Sequence, residues 1–339
     1  MTGTPTPPGH RPTDGLPLAL IAVVGALAIG AAVALVTHPP TDLLASPFGR
    51  PGEGVAGNSV TALRTAFGSS GEVRLQLRMP GELFDFPIEV RGTTDRAEYQ
   101  WLRASDSSAV VPPRPLQGTT VVAPLGPGFY RLAVTQGEGN RIVDSVVVGV
   151  LVPFSAKLGS TLNGYRIGRY QWERSHDEST PPPKGFVQVL AEDTELPVST
   201  HFRLGDFLTH DGQETWPRYL ALDLRIVDKV ELVLDYLGSR HRDIPVDLHS
   251  GYRTPLHNHR VPRAASDSRH QYGDAADLAI DADGDGHLTS LDQLAVSHAV
   301  DMVEREHPEL VGGLGVYGSG GVGGYVHIDV RGVRKRWRG

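Results

Sequence analysis

Two short runs near the C-terminus contain the residue types that hold a catalytic metal ion. They are Ser268-Arg-His-Gln-Tyr-Gly-Asp-Ala-Ala-Asp277 and Tyr325-Val-His-Ile-Asp329. Catalytic zinc takes three protein ligands from histidine and carboxylate side chains and leaves a fourth position for water, whose pKa falls to about 7. His270, Asp277 and His327 supply such a set. The two runs therefore predict a zinc site that activates water.

The expected secondary structure can bring these residues together. Ala275 to Ile280 is an apolar run typical of a buried strand, and Gly273 allows the preceding loop to turn back. Between Tyr325 and Val330 the side chains of a strand would alternate between two faces. His327 and Asp329 are therefore expected on the same face, where they can share one site.

The order of the residues distinguishes a metal site from a chance cluster. A lone His-x-Asp triplet would be weak, because the chain has 14 His and 39 acidic residues. The run Ser-x-His-x-x-Gly-x-Ala-x-Asp, followed about 50 residues later by His-x-Asp in a predicted strand, is much harder to obtain by accident. The pattern therefore favours a zinc site.

A third motif, Ser250-Gly-Tyr-Arg253, precedes these two runs. Together, the three motifs resemble those of the zinc D-Ala-D-Ala carboxypeptidases and related peptidoglycan endopeptidases, which share a hedgehog-like LAS peptidase fold. The resemblance covers roughly residues 198–339. It implies a small α+β domain with a central antiparallel sheet, and zinc held by His270, Asp277 and His327. It also implies cleavage of a peptide bond in peptidoglycan stem peptides, by a carboxypeptidase or an endopeptidase.

Arg253 matches the family arginine that faces the substrate and the developing oxyanion. Independently of the family, Ser250 to Pro255 is predicted to be the loop after a short strand, and loops at strand ends gather binding residues. A guanidinium offers two parallel donors to a carboxylate or an oxyanion. The alternative is a surface arginine on a turn. Tyr252 and Ser268, from the same motifs, are assigned to substrate binding.

The general base departs from the family pattern. Many members carry an acidic residue three positions before the last histidine, and here that position is Gly324. Asp329 is the replacement candidate, because it is expected beside His327 and a metal-bound water needs a carboxylate within hydrogen-bond reach. The alternative is that Asp329 only orients the imidazole. Asp274 is a weaker third candidate.

A second acidic group, at residues 281–292, has the spacing of a calcium loop. Carboxylates stand at positions 1, 3 and 5, glycine at position 6, a backbone carbonyl at position 7 and a carboxylate at position 12: Asp281, Asp283, Asp285, Gly286, His287 and Asp292. Asp292 replaces the usual Glu, so we expect a modest affinity that suits millimolar calcium outside the cell. The alternative is an acidic turn without an ion. A bound Ca²⁺ would be structural.

A strand carrying Asp277 is predicted to lead into this loop, and a helix is predicted to follow it. Thr289 and Asp292 form a variant of a capping box, and apolar residues then recur at helical spacing until Pro308. Upstream, a stripe of apolar residues from Leu220 to Leu237 marks one face of a helix that packs on the catalytic sheet.

The N-terminal part predicts a membrane anchor. Leu16 to Val36 is 21 residues long and uncharged, which is enough to cross a hydrocarbon core of about 30 Å. A cleaved signal peptide is the main rival, but it usually has a shorter apolar core and a basic start. We therefore expect a cytoplasmic tail at residues 1–15 and a single-pass anchor in the bacterial cytoplasmic membrane at 16–36. The catalytic part would lie on the outer side.

The amino-acid composition excludes several kinds of site and one class of partner. The chain of 339 residues has no cysteine, which excludes disulfides, thiolate nucleophiles and zinc bound by cysteine. A net charge of -7 argues against a nucleic-acid partner, which would need a basic face.

The middle of the chain predicts an all-β domain of immunoglobulin type. Residues 37–57 are rich in Pro and Gly and predict a linker, 58–155 the sandwich, 156–197 a connector and 198–339 the zinc peptidase. The expected strands are Val73–Met79, Phe86–Val90, Ala97–Arg103, Thr119–Val122, Phe129–Thr135 and Val143–Val152. Trp101 and Tyr130 fit aromatic core positions of such folds. The sandwich is interpreted as a spacer or wall-binding module, or as a structural domain without a ligand.

Two rivals to an active peptidase remain open. Gly324 is compatible with a wall-binding or scaffolding protein that keeps the metal without turnover. An adhesin whose sandwich binds the wall by itself is the third interpretation.

Overall fold

The computed structural model describes residues 59–62, 67–91, 97–136, 139–175, 180–238, 244–318 and 324–339. The predicted tail, anchor and linker lie outside them. Among the described residues, no helix has both the length and the apolar character needed to span a bilayer. The described chain is a mixed α+β structure with several sheets and few helices.

The elements are numbered in chain order. The strands are β1 Ser59–Ala62, β2 Leu75–Arg78, β3 Leu83–Asp85, β4 Ile88–Arg91, β5 Ala97–Arg103, β6 Arg114–Pro115, β7 Thr120–Val122, β8 Gly128–Gln136, β9 Gly139–Val150, β10 Val152–Pro153, β11 Thr161–Leu162, β12 Tyr165–Arg166, β13 Gly185–Val189, β14 Arg218–Leu220, β15 Val246–Ser250, β16 Ala275–Ile280, β17 Gly313–Tyr317, β18 Tyr325–Asp329 and β19 Lys335–Arg338. The α-helices are α1 Gln171–Ser175, α2 Leu224–Gly238, α3 Pro255–Asn258 and α4 Ser290–Glu306. Short 3-10 helices lie at Phe154–Ala156, Ala191–Glu195, Leu204–Phe207, Arg269–Tyr272 and Pro308–Leu310.

The N-terminal β-rich part is built on a five-stranded sheet within the described residues, in the order β2-β9-β8-β5-β6. Strand β5 alternates along its length, with Ala97, Tyr99 and Trp101 buried, as a strand with one covered face requires. Its bounds are those predicted from the sequence. The run predicted as one strand over residues 143–152 is divided at Leu151 between β9 and β10.

Trp101 and Tyr130 lie in the core of this part, as predicted. The Trp101 indole N–H donates to the carbonyl of Val122 at 2.7 Å, and the Tyr130 hydroxyl donates to that of Gly126 at 2.9 Å. Each buried ring therefore has a partner for its polar atom, which large aromatic residues need in an apolar core.

At strands β2, β8 and β9, the other face of the same sheet packs against the C-terminal part of the chain. Leu75, Phe129 and Val147 belong to an apolar cluster that also contains residues of α2, β16 and β18. Segment 156–197, predicted as a connector, adds buried residues to this cluster: Leu162, Tyr165, Ile167, Tyr170, Phe186, Val187 and Val189. The β-rich part and the C-terminal part therefore share one core.

Asp228 of α2 fastens the two parts together with hydrogen bonds. Its buried carboxylate accepts the backbone N–H of Ser69 at 2.9 Å and of Ser70 at 2.8 Å. Gly68 passes so close, with φ +84°, that a Cβ there would collide with this carboxylate. The approach therefore requires glycine.

The C-terminal part is built on the sheet β15-β16-β18-β17-β19, in which only the β17–β19 pairing is parallel. Strand β16 is buried at every position, as its apolar run predicts. The register places Asp277 opposite both Ser250 of β15 and His327 of β18. Opposite residues of neighbouring strands present their side chains on the same face, so the register itself assembles the site.

Two long helices cover this sheet, and both begin at side-chain caps. Asp223 accepts the N–H of Arg225 at 3.0 Å before α2, and the Thr289 hydroxyl accepts the N–H of Leu291 at 3.1 Å in α4. Leu220, predicted on the first helix, lies in β14 and pairs with Val187. The helical stripe predicted there starts one turn later.

Candidate metal centre and cleft

His270 lies on the 3-10 turn Arg269–Tyr272, which ends at Gly273 in the left-handed region with φ 70°. A Cβ at Gly273 would collide with the carbonyl group of Ala221. Glycine is therefore required here for both its conformation and its size. The turn brings the His270 imidazole above β16, beside Asp277.

The donor atoms of His270, Asp277 and His327 form a small triangle. His270 Nε2 lies 3.1 Å from Asp277 Oδ1, His327 Nδ1 lies 2.9 Å from the same oxygen, and the two nitrogens are 3.1 Å apart. Ligand atoms about 2.0–2.1 Å from a tetrahedral zinc ion are about 3.3 Å from one another. The triangle therefore has the size and the donor chemistry that zinc requires.

The outer nitrogen of each imidazole is already engaged. His270 Nδ1 lies 2.7 Å from the carbonyl oxygen of Gly251, and His327 Nε2 lies 3.1 Å from Asp329 Oδ2. A carbonyl or carboxylate in this position receives a ring N–H, which leaves the lone pair of the other nitrogen on the inner side. Both inner nitrogens face the triangle, as metal ligation requires.

The electrostatics favour a charged carboxylate between two imidazoles. Burial would raise the pKa of Asp277, but His270 and His327 outweigh it and hold that pKa well below its usual range. Burial lowers the pKa of His270. Burial acts in the same direction on His327, but its hydrogen bonds with Asp277 and Asp329 raise its pKa overall. Asp277 is therefore ionised and available as a ligand.

Asp329 holds the position of an orienting residue, not that of a base. Oδ1 accepts the backbone N–H of Gly313 at 2.7 Å and of Arg331 at 3.1 Å, and the Arg331 guanidinium binds both carboxylate oxygens. The side chain is fully buried, on the far side of the His327 ring from the triangle. Burial would raise its pKa, but the bonds from His327 and Arg331 keep that pKa well below its usual range. This arrangement contradicts the prediction that Asp329 takes a proton from water.

Asp274 is also engaged away from the triangle. It is buried and pairs with the Arg269 guanidinium through both oxygens. Burial raises its pKa even though Arg269 acts to lower it. The weaker third candidate for the base is therefore a structural ion pair.

Arg253 lies directly beside the triangle. Its guanidinium pairs with Asp277 Oδ2, and its Nε donates to the Ser250 hydroxyl at 2.8 Å. Since Oδ1 of Asp277 faces the two imidazoles, Arg253 takes the remaining oxygen of the same carboxylate. Arg253 also lines the cleft, where its guanidinium can meet a substrate oxygen.

A cleft of about 620 Å³ opens over the triangle. Ser268 and Arg253, both predicted to bind substrate, line it. Tyr252 does not. It is 1% exposed, and its hydroxyl lies 3.1 Å from that of Tyr170 inside the core. Its assignment to substrate binding is wrong, because the ring lies in the apolar core and outside the lining of the cleft.

An aromatic wall of Tyr317, Tyr325 and Trp337 completes the cleft, and the sequence interpretation did not include it as a unit. The two tyrosine rings stack with centroids 4.8 Å apart, and the Trp337 N–H donates to the Tyr317 hydroxyl at 2.6 Å. Trp337 lies 5.3 Å from the His327 ring, over the glycines of β17. Glycine at alternate positions 313 and 315 was the available signal, because it marks a strand face where another group approaches closely.

Lys229 is a second residue that sequence reasoning missed. It is fully buried on α2, and its ammonium donates to Glu304 at 2.8 Å and to the backbone carbonyl of Asp329 at 2.9 Å. Burial lowers its pKa. Lys229 therefore ties the end of β18 to α2 and α4, behind the residue that orients His327.

The acidic loop is compact and satisfies its carboxylates locally. Carboxylate oxygens of Asp281, Asp283 and Asp285 lie within 4.8 Å of one another. Asp281 accepts the backbone N–H of Gly284 at 2.7 Å and of Gly286 at 2.8 Å. Such bonds shape the loop with or without an ion.

Position 12 of this loop is also engaged with the backbone. Asp292 accepts the N–H of Ala282 at 2.8 Å and of Thr289 at 2.7 Å, so it closes the loop and caps α4. His287 is exposed, and its N–H donates to Asp285 at 2.8 Å. The calcium prediction remains a prediction.

No curated protein matches the chain. Among solved structures, it is similar to Sidekick-1 immunoglobulin domains 1–4, with 14% identity and a TM-score of 0.20. That similarity covers 29% of this chain and 24% of the other, so the chain spans about a quarter of that structure's length.

The family comparison concerns the C-terminal part. A model of the peptidase M15 family matches residues 209–307, which include Arg253, His270 and Asp277. The match supports a zinc-dependent hydrolase. The inner nitrogens of the two imidazoles and the carboxylate of Asp277 are suited to bind that ion. As the motifs predicted, residues 209–307 match the model of the peptidase M15 family, that of the zinc D-Ala-D-Ala carboxypeptidases.

Proposed function

We propose that the protein is a zinc peptidase that hydrolyses peptide bonds in peptidoglycan stem peptides. The observation that carries the proposal is the convergence of three donor atoms, 2.9–3.1 Å apart, at the floor of a cleft. The family match over residues 209–307 supplies the substrate class. A cleft of this size accommodates a short peptide.

Each residue of the site has a defined part in the reaction. His270, Asp277 and His327 would hold zinc, which lowers the pKa of a water and polarises the scissile carbonyl when it is bound. Arg253 orients the substrate carbonyl or stabilises the charge that develops on its oxygen. Asp329 fixes the tautomer and the orientation of His327.

The proton acceptor must come from another residue. Gly324 has no side chain, and Asp329 lies behind the His327 ring, outside the lining of the cleft. Among the described residues that line the cleft, the carboxylate side chains are those of Asp277, a ligand, and Asp267. Asp267 accepts the N–H of Thr180 at 3.2 Å and the Tyr272 hydroxyl, which hold it at the rim. We assign the proton acceptor to Asp267.

A second candidate function is a metal-retaining wall-binding or scaffolding protein without turnover. The lack of an acidic residue at position 324 favours it. Both candidates bind zinc, and only the peptidase cleaves.

The location of the protein in the cell is proposed from its sequence. Residues 16–36 would anchor the chain in the bacterial cytoplasmic membrane, with the cleft on the outer side, where peptidoglycan is found. The Asp281–Asp292 loop would bind Ca²⁺ there and stiffen the connection between β16 and α4.

The test is a digest of purified muropeptides by the full-length chain in detergent, with one equivalent of zinc. The peptidase predicts cleavage that stops in the His270→Ala and His327→Ala variants. Release of single D-amino acids indicates a carboxypeptidase, and separation of cross-linked peptides an endopeptidase. Stoichiometric zinc without any cleavage would establish the second candidate.

A further inference from the structure

The cleft carries an excess of positive charge. Among the described residues that line it are five cationic side chains, Arg253, Arg263, Arg269, Arg331 and Lys335, against two carboxylate side chains, those of Asp267 and Asp277. A bound zinc ion would add to this excess. The charge of the cleft is opposite in sign to the net charge of -7 of the whole chain.

Three of these cations are neutralised by ion pairs within the site. Each arginine in this group pairs with a buried or nearly buried carboxylate: Arg253 with Asp277, Arg269 with Asp274 and Arg331 with Asp329. Their charges are therefore used to hold the site together, and their field at the substrate is reduced.

Arg263 and Lys335 are the other two. Within the described part of the chain, neither side chain has an ion-pair partner. Both residues are exposed at the rim of the cleft. Arg263 has φ 62°, a left-handed conformation that is uncommon for arginine, so the loop holds this residue in a defined place at a conformational cost.

Lys335 has an equally defined position. It lies on β19, two residues before Trp337, so both side chains belong to the same face of that strand. Trp337 abuts the His327 ring at 5.3 Å. The ammonium of Lys335 therefore belongs to the wall of the cleft that borders the metal triangle, and Arg263 to the loop that leads to His270.

We infer that Arg263 and Lys335 select substrates that carry a second free carboxylate close to the scissile peptide bond, in addition to any terminal carboxylate. The inference rests on the proposed peptidase function and narrows its substrate class to stem peptides whose carboxyl groups are not amidated. A carboxylate would gain a charge-assisted bond to a guanidinium or an ammonium, whereas a neutral amide of the same shape would not. Amidation of the wall would then protect it from this protein.

The test compares two stem peptides that differ only in one carboxyl group, present as the free acid or as the amide. For the wild-type full-length chain with zinc, we expect kcat/KM to be about tenfold higher for the acid. The preference should shrink when the salt concentration is raised from about 0.05 to about 0.5 M, because both cations are exposed. In the Arg263→Gln/Lys335→Gln variant, the ratio should fall to about one.

The matched control is Arg260→Gln/Arg338→Gln. It removes the same charge from the same loop and the same strand, at exposed residues that do not line the cleft. It should keep the tenfold preference. Zinc content, measured for every variant, shows that the site is intact.

The outcomes separate this inference from the proposed function. Equal, zinc-dependent cleavage of both peptides by the wild-type chain would overturn the carboxylate selection but would support the proposed peptidase function. A preference that survives in the Arg263/Lys335 variant would also overturn it. Failure to cleave either peptide despite bound zinc would overturn the peptidase itself.

Discussion

The metal triangle and the acidic loop are both predicted ion sites, but the fold builds them differently. The triangle joins residues up to 57 positions apart, and each imidazole has its outer nitrogen engaged so that its inner nitrogen is free. The acidic loop is one continuous segment, and its carboxylates accept backbone N–H groups of the same segment. The donor atoms of the triangle therefore surround a space between side chains, whereas the carboxylates of the acidic loop are bound by the loop's own backbone.

This difference separates catalytic from structural roles. The triangle depends on the whole sheet, because the register of β16 with β18 sets the distance between Asp277 and His327. The loop needs only its own turns and the N-terminus of α4. Damage to the triangle should therefore abolish chemistry, and damage to the loop should lower stability while chemistry continues.

The largest effect is expected from His270→Ala and His327→Ala. Each removes a zinc ligand, so the rate of muropeptide cleavage should fall by at least about a thousandfold, to the uncatalysed background. The measurement is initial rate together with zinc per chain. His298→Ala, on the outer helix α4 beside Tyr236, is the control and should keep full activity. Activity in either ligand variant would refute the site.

Asp329→Asn should weaken zinc binding by about 10–100-fold, because the acceptor of the His327 ring N–H loses its charge. Zinc affinity is measured by competition with a chelating dye. Asp267→Asn is the matched variant: it should lower kcat and leave zinc affinity unchanged, as expected for a proton acceptor. The reverse pattern, with zinc affinity intact in Asp329→Asn and kcat reduced, would restore Asp329 as the base.

How much could be predicted from the sequence depended on how far apart the residues involved are along the chain. The motif from Ser268 to Asp277 is local, and it predicted the ligand turn and the strand β16 correctly. The alternation in β18 placed Asp329 beside His327, but the hydrogen bonds that Gly313 and Arg331 donate to its oxygens form only in the folded chain. A role as base or as orienting group is decided by such contacts.

Tyr252 and Trp337 illustrate a second limit of prediction from sequence, which is contact between residues far apart along the chain. The partner that buries Tyr252 is Tyr170, 82 residues earlier, and no local pattern links the two. Trp337 reaches the cleft because β19 joins the sheet parallel to β17, a pairing of two short strands with weak periodic signals. Long-range packing of this kind cannot be deduced from spacing alone.

A calcium titration tests the acidic loop. With zinc kept at one equivalent, calcium at about ten times its Kd should stabilise the fold by about 1.4 kcal/mol and raise Tm by about 3–6 °C. The rate of cleavage should stay the same. An Asp283→Asn/Asp285→Asn variant should lose the shift. If Tm is independent of calcium in the wild-type chain, the loop is only an acidic turn.

Thr289→Ala is expected to have the smallest effect. It removes the hydroxyl that caps α4 and donates to Asp292 at 2.9 Å, so the free energy of unfolding should fall by about 1 kcal/mol. Chemical denaturation measures this loss. Ser290→Ala, one residue further at an exposed position, should change little. Loss of catalytic rate in Thr289→Ala would contradict the separation between loop and triangle.

The central claim is tested most directly by metal analysis combined with X-ray absorption of the zinc-loaded chain. We predict one zinc per chain, with two imidazole nitrogens and carboxylate or water oxygens as ligands, and loss of that zinc in His327→Ala. Zinc that stays bound in His327→Ala, or a chain that takes up no zinc, would contradict a centre formed by His270, Asp277 and His327.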